Sequence, residues 1–154
     1  MISVQTEDFD FANEYQALRG RSLQSGAIVM FVGLVRDFSE NTQVSNMTLE
    51  HYPGMTENVL TDIVKQARER WPLDGVRIIH RVGELHATDQ IVLVGVSSAH
   101  RIAAYEASQF IMDILKTEAP FWKKESIQDA QGTEAERWVD AKTSDSKQAA
   151  DWQK

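Results

Sequence analysis

Apolar residues in this chain recur in two rhythms, runs or alternations suited to strands and spacings of three to four suited to helices. ISVQT (2–6) opens as a short strand, and Asp10 stands where an N-cap would serve a helix through FANEYQALR that ends at Gly20. GAIVMFVGLVR (26–36) is a continuous apolar, β-branched run and predicts a buried strand, followed by a polar loop DFSENTQ (37–43) and a second strand VSNMTLEHY (44–52). Pro53-Gly54 turns the chain into a helix over 55–71, with Met55, Val59, Ile63, Ala67 and Trp71 at helical spacing and Pro72 as its stop. GVRIIHRVGEL (75–85) and QIVLVGVSS (90–98) predict two more strands joined by a turn at 86–89. A second long helix spans 99–117, capped by Ser97 or Ser98 and stopped by Pro120. FWKKESIQ (121–128) alternates as a strand, and ERWVDA (136–141) pairs with it across DAQGTEA (129–135). The final residues, about 144–154, read as a loosely held tail with Trp152 as a candidate for docking. The pattern predicts a single α+β domain over 1–154, with a mixed or antiparallel sheet and two principal helices.

Composition narrows the function classes. A chain of 154 residues buries a real core, and its net charge of −7, from 16 basic and 23 acidic residues, argues against a broad nucleic-acid or anionic membrane surface. A small anionic ligand is still open to it, because a pocket can be positive while the whole is not. The opening MISVQTEDFDF lacks a basic n-region, and no apolar run approaches the ~18 residues of a membrane span, so a cytoplasmic protein is expected. The cysteine count of zero removes thiolate nucleophiles, persulfides, disulfides and thiolate zinc sites. His51, His80, His86 and His100 show no metal-binding spacing, and no nucleotide-binding glycine motif or nucleophile elbow is present, so no metal or cofactor is expected. His80 alternates with Val76 and Ile78 and reads as a satisfied, half-buried strand residue.

Against this acidic background, LKTEAPFWKKE (115–125) gathers Lys116, Lys123 and Lys124 around a Pro-Phe-Trp corner at the end of the second long helix. On that helix Ala103, Ala107, Phe110, Ile111 and Ile114 form one stripe, which predicts core. The opposite face carries Arg101, Tyr105, Ser108, Met112 and Lys116, a cation at each end with an aromatic and a methionine between, and suits a contact surface. His100 and Arg101 stand beside the unpaired N–H groups of the helix start, where they serve either as an anion site or as ordinary helix-start residues. Lys116 either complements the helix C-terminal dipole or acts chemically. Lys123 and Lys124 point to opposite faces of the following strand, so one turns toward whatever Phe121 faces. Arg36, at the end of the first long strand, either pairs with Asp37 or Glu40 or contacts an anion.

The segments LEHYPGMTE (49–57), HRVGEL (80–85), VGVSSAHR (94–101), FIMDILKTEAPFWKKE (110–125) and RWVDA (137–141), in this order, resemble the large, catalytic subunit of molybdopterin synthase. The resemblance covers about residues 5–143 and implies an α/β-hammerhead type of fold and a homodimer with a small ubiquitin-like sulfur carrier docked at each end, a heterotetramer. It implies a sulfurtransferase of molybdenum cofactor biosynthesis. The carrier's C-terminal Gly-Gly tail, as a thiocarboxylate, would supply two dithiolene sulfurs to cyclic pyranopterin monophosphate. By resemblance Lys116 and Lys123 are catalytic, and Arg36, His100 and Arg101 hold the pterin and its phosphate. Leu34, Val35, Lys124 and Glu125 are neighbouring substrate contacts, and Met112 and Phe121 meet the carrier tail. The alternative is a non-catalytic module that binds such a tail without turnover. Arg101 and Lys116 lie fifteen residues apart on one helix, about 22 Å at 1.5 Å per residue, so a shared site requires two protomers.

Overall fold

The computed structural model describes residues 1–36, 38–39, 42–128, 134–139 and 143–153, with side chains at 38–39, 42–45, 126–128, 134–137, 139 and 143 left aside. In chain order the elements are β1 (Ile2–Gln5), α1 (Phe11–Arg19), β2 (Ala27–Leu34), β3 (Phe38–Ser39), β4 (Thr42–His51), α2 (Met55–Arg70), β5 (Gly75–Arg81), β6 (Gly83–Leu85), β7 (Gln90–Ser98), α3 (Arg101–Glu118), β8 (Phe121–Gln128), β9 (Glu134–Val139) and α4 (Thr143–Asp151). One sheet runs β1-β5-β7-β2, with β1 parallel to β5 and the other pairs antiparallel. The second runs β3-β4-β8-β9 with β6 added on β4, all antiparallel. The α+β, hammerhead-type class expected from the sequence is the one observed, with α2 and α3 as its two long helices.

The main core lies where α2 and α3 cover one face of the first sheet. Leu60, Ile63 and Ala67 of α2 meet Val76, Ile78, Val92, Val94 and Val96, and Ala107, Phe110, Ile111 and Ile114 of α3 close over them. Each large apolar side chain fully withdrawn here contributes about 1.5–3 kcal/mol. The expected α3 stripe is therefore core. On α2 the stripe is turned relative to expectation: Met55 is exposed, while Thr56 and Leu60 are buried. The other face of the sheet receives α1, whose Asp10 side chain accepts from the Asn13 N–H as an N-cap. A smaller core of Met47, Leu49, Val82 and Leu85 joins the two sheets.

Five further expectations are corrected. The run 26–36 is an edge strand, β2, half-buried with Phe31 and Leu34 exposed, because among the described residues only β7 pairs with it. The loop over 37–43 contains β3 and the first residues of β4; residues 37, 40 and 41 lie outside the described residues. The single strand over 75–85 is two strands in different sheets. Gly83, at φ 86°, bends the chain between them in a conformation that L side chains rarely adopt. Neither serine caps α3: the N-cap position is His100 without a side-chain cap bond, and the Ser98 hydroxyl donates to the Pro72 carbonyl at 2.7 Å.

The tail is also not loose. Helix α4 packs on α3, burying Ala149, and Trp152 meets Phe110 and Trp71 edge-to-face at 5.6 and 5.7 Å. The Trp152 indole N–H donates to Asp113 Oδ2 at 2.7 Å, and Arg70 lies 4.6 Å over the Phe110 ring while donating to the Trp152 carbonyl. No helix among the described residues is long and apolar enough to cross a membrane.

Candidate active site

β2 runs antiparallel to β7, and α3 returns from the end of β7 across β2, so β2 and α3 share a direction. Their starts are bound together. The Gly26 N–H donates to the Ser98 carbonyl at 3.0 Å, and a Cβ at Gly26 would collide with the carbonyl oxygen of Ala99. His100 and Arg101, both exposed, therefore stand at one end of the molecule beside the start of β2. Lys116, in the last turn of α3, stands at the other end with Leu34, the last residue of β2, and with Val35 and Arg36, which follow it.

Between these ends α3 and β2 enclose an open depression of about 480 Å³, lined by Met30 and Phe31 of β2, Tyr105, Ser108, Met112 and Lys116 of α3, and Asp145 of α4. The α3 face read as a contact surface thus lines a cavity, except for Arg101, which lies beyond it. Ser108 is nearly buried and donates its hydroxyl proton to the Tyr105 carbonyl at 2.8 Å. Phe31 lines this depression, a placement that sequence reasoning passed over because the run around it reads as buried on both faces.

The corner after α3 brings the second lysine in. The Ala119 N–H closes on the Leu115 carbonyl at 3.1 Å and the Phe121 N–H on the Ala119 carbonyl at 2.9 Å, which starts β8 immediately. On β8 the residues opposite β4 give the facing directly: Phe121 meets His51, Lys123 meets Leu49 and Glu125 meets Met47. Leu49 and Met47 belong to the core between the sheets, so Phe121, Lys123 and Glu125 share that face. Lys124 is on the reverse face, its ammonium 5.5 Å from the Trp138 ring centroid. Val35 joins the same inter-sheet core as Phe121, with its N–H donating to the Asp89 carbonyl at 2.9 Å. Leu34 is exposed on the edge strand. One chain therefore brings Val35, Arg36, Lys116, Phe121, Lys123 and Glu125 to one end, with Met112 along the depression. It leaves His100 and Arg101 at the far end and turns Lys124 away.

His80 marks the meeting point. Its ring stacks on Phe121 with centroids 3.8 Å apart and planes 18° apart, and it is only 7 % exposed, more buried than expected. Burial pushes its pKa down to about 4; the hydrogen bond to the Arg81 carbonyl opposes this, and the charges of Lys123, Lys116 and His51 add to it. The ring thus feels both lysines. Because the folded pKa lies below the ordinary 6.5, the unfolded chain takes up the proton first. The stability tied to His80 is complete above about pH 6.5 and is lost as pH falls, reaching about 3 kcal/mol by pH 4. Urea unfolding at pH 7 and pH 4 should show that His80→Phe loses correspondingly less stability on acidification than wild type; equal losses would rule the effect out.

A family model described as MoaE protein matches residues 4–118. The molybdopterin synthase catalytic subunit of Vibrio cholerae serotype O1 is 57% identical over 152 residues, covering 99% of this chain and 97% of the relative. That of Escherichia coli K12 is 51% identical over 151 residues, covering 98% and 97%. The solved molybdopterin biosynthesis MoaE protein of Burkholderia ambifaria MC40-6 superposes with a TM-score of 0.83 at 49% identity, covering 100% of this chain and 98% of that one. With most of the chain matched by the family model and half of its residues shared with these relatives, it belongs to the MoaE family of molybdopterin synthase catalytic subunits.

Proposed function

We propose that the chain transfers two sulfurs from a thiocarboxylated, ubiquitin-like carrier to cyclic pyranopterin monophosphate, forming the molybdopterin dithiolene. The observation that supports this most is that Lys116 of α3, which lines an apolar depression, and Lys123 of β8, on the same strand face as Phe121, both bear electrostatically on the buried His80 ring stacked on Phe121. A carboxylate-like tail and a phosphate ester are both anions, and local cations in an acidic chain select for them. With no cysteine in the chain, the sulfur has to arrive on a partner.

In this reading the carrier tail lies along the depression past Met112 and Phe121, with its thiocarboxylate directed to Lys116. Arg36, His100 and Arg101 hold the phosphate, His100 and Arg101 being donated by the second protomer of a homodimer. The thiocarboxylate sulfur attacks a side-chain carbon of the pterin and displaces the oxygen bound there, Lys116 neutralises the negative charge that develops, and Lys123 protonates the departing oxygen. Water then cleaves the thioester so formed, which leaves the sulfur on the pterin and frees the carrier as a carboxylate. The spent carrier is exchanged before the second sulfur is added. Val35 and Glu125 border the substrate, Leu34 offers only its backbone, and Lys124 acts from the reverse face of β8. A cytoplasmic setting, a heterotetramer with two carriers and independence from any metal or cofactor complete the proposal.

The test is a reconstituted reaction of the purified chain with thiocarboxylated carrier and cyclic pyranopterin monophosphate, with the dithiolene product quantified after oxidation. Product formation is the expected result. Carrier binding without product from well-folded protein would replace this reading with that of a tail-binding module.

A further inference from the structure

We propose that His80 is a positioning residue for sulfur transfer: its ring, stacked on Phe121, sets the end of α3 against the start of β8 so that Lys116 and Lys123 address one substrate. The proposal rests on the reading of those lysines as catalytic. Neither lysine can fix the other's position, because they extend from different elements and their like charges repel. The contact that spans the gap is between rings. His80 belongs to β5 of the first sheet and Phe121 to β8 of the second, and they lie 3.8 Å apart and nearly parallel.

Each ring is oriented by its own backbone. His80 Nδ1 lies 2.9 Å from the Arg81 carbonyl, so this nitrogen carries the proton and donates it, which fixes the ring plane. Phe121 is tied through Ala119 to Leu115 by the two backbone hydrogen bonds of the corner, and it stands five residues beyond Lys116 and two before Lys123 on the same strand face. The charged and titratable groups facing His80 are Lys116 from α3, Lys123 from β8 and His51 from β4. Held neutral by burial, the imidazole adds no third cation beside the two lysines. An aliphatic side chain would fill the volume yet offer no flat face, so Phe121, and with it the start of β8, would lose the ring contact that orients it.

The experiment measures steady-state kinetics of the reconstituted enzyme at pH 7 for wild type, His80→Leu, His80→Phe and Lys116→Ala, with unfolding followed in parallel. His80→Leu is expected to lower kcat by about 10- to 100-fold, the penalty of displacing reacting groups by about an ångström, with KM for the carrier changed less than about twofold. His80→Phe, which restores a ring face, is expected to recover most of kcat. If His80→Leu does not fold, His80→Gln takes its place, keeping a donor for the Arg81 carbonyl but no ring. Wild-type kcat in the ringless variant would overturn the proposal, as would a His80→Phe enzyme no better than the ringless one. An active Lys116→Ala enzyme would instead overturn the catalytic reading of the lysines, whatever the His80 variants do.

Discussion

Lys116→Ala is expected to reduce dithiolene formation by about 100-fold or more, with the fold and carrier binding intact, since a charge aimed at a developing anion is worth at least that much once the bound carrier tail covers the site from water. The structure separates this effect from a stability effect. Lys116 is exposed in the last turn of α3, and among the described residues no ion pair involves it. Truncating an exposed helix residue of this kind shifts stability by about 0.5 kcal/mol or less. A collapse in rate would therefore report chemistry. Single-turnover product formation is the measurement, accompanied by thermal unfolding and titration with the carrier. Lys116→Arg adds a second distinction: retained turnover identifies charge as the essential property, and lost turnover identifies the amine as a nucleophile. Near-normal turnover in Lys116→Ala would remove the residue from the mechanism.

Mixing two inactive chains should restore activity. Lys116→Ala and Arg101→Ala homodimers are each expected to be nearly inactive, yet after subunit exchange the mixture should regain about a quarter of wild-type turnover in a two-fold symmetric dimer. Half of the exchanged dimers are hybrids, and each hybrid keeps one site with an intact lysine from one chain and an intact arginine from the other. Helix α3 itself imposes this arrangement. It is continuous from Arg101 to Glu118, so Arg101 and Lys116 are held about 22 Å apart and cannot close on one small phosphate ester. If one chain held a complete site, no hybrid would carry an intact one and mixing would restore nothing.

What could be read from sequence followed the strength of local periodicity. β7 and α3 were legible because long runs of Val, Leu, Ile and Ala stand at unambiguous spacings, and α1 because Asp10 and Gly20 bracket it. β2 was misread because an apolar run looks alike whether both faces or only one is covered by the same chain. The break between β5 and β6 turns on Gly83, whose positive φ is a tertiary demand that a valine-rich context hides. α4 escaped because its docking depends on Trp71, Phe110 and Trp152, three rings far apart in the chain. Within the site, the clustering of Lys116 and Lys123 and the divergence of Lys124 followed from helix end and strand alternation. His80 looked like a bland strand residue because Phe121, the partner that gives it a use, comes from the other sheet.

The indoles divide this molecule optically. Trp71 and Trp152 are partly buried in the helical layer, each within edge-to-face range of Phe110, whereas Trp122 and Trp138 are exposed on the second sheet. Emission from the first pair follows the seating of the chain's last turn on α3, and emission from the second follows anything that covers the sheet. The unlabelled protein thus carries two fluorescent reporters, one in its helical layer and one on its second sheet.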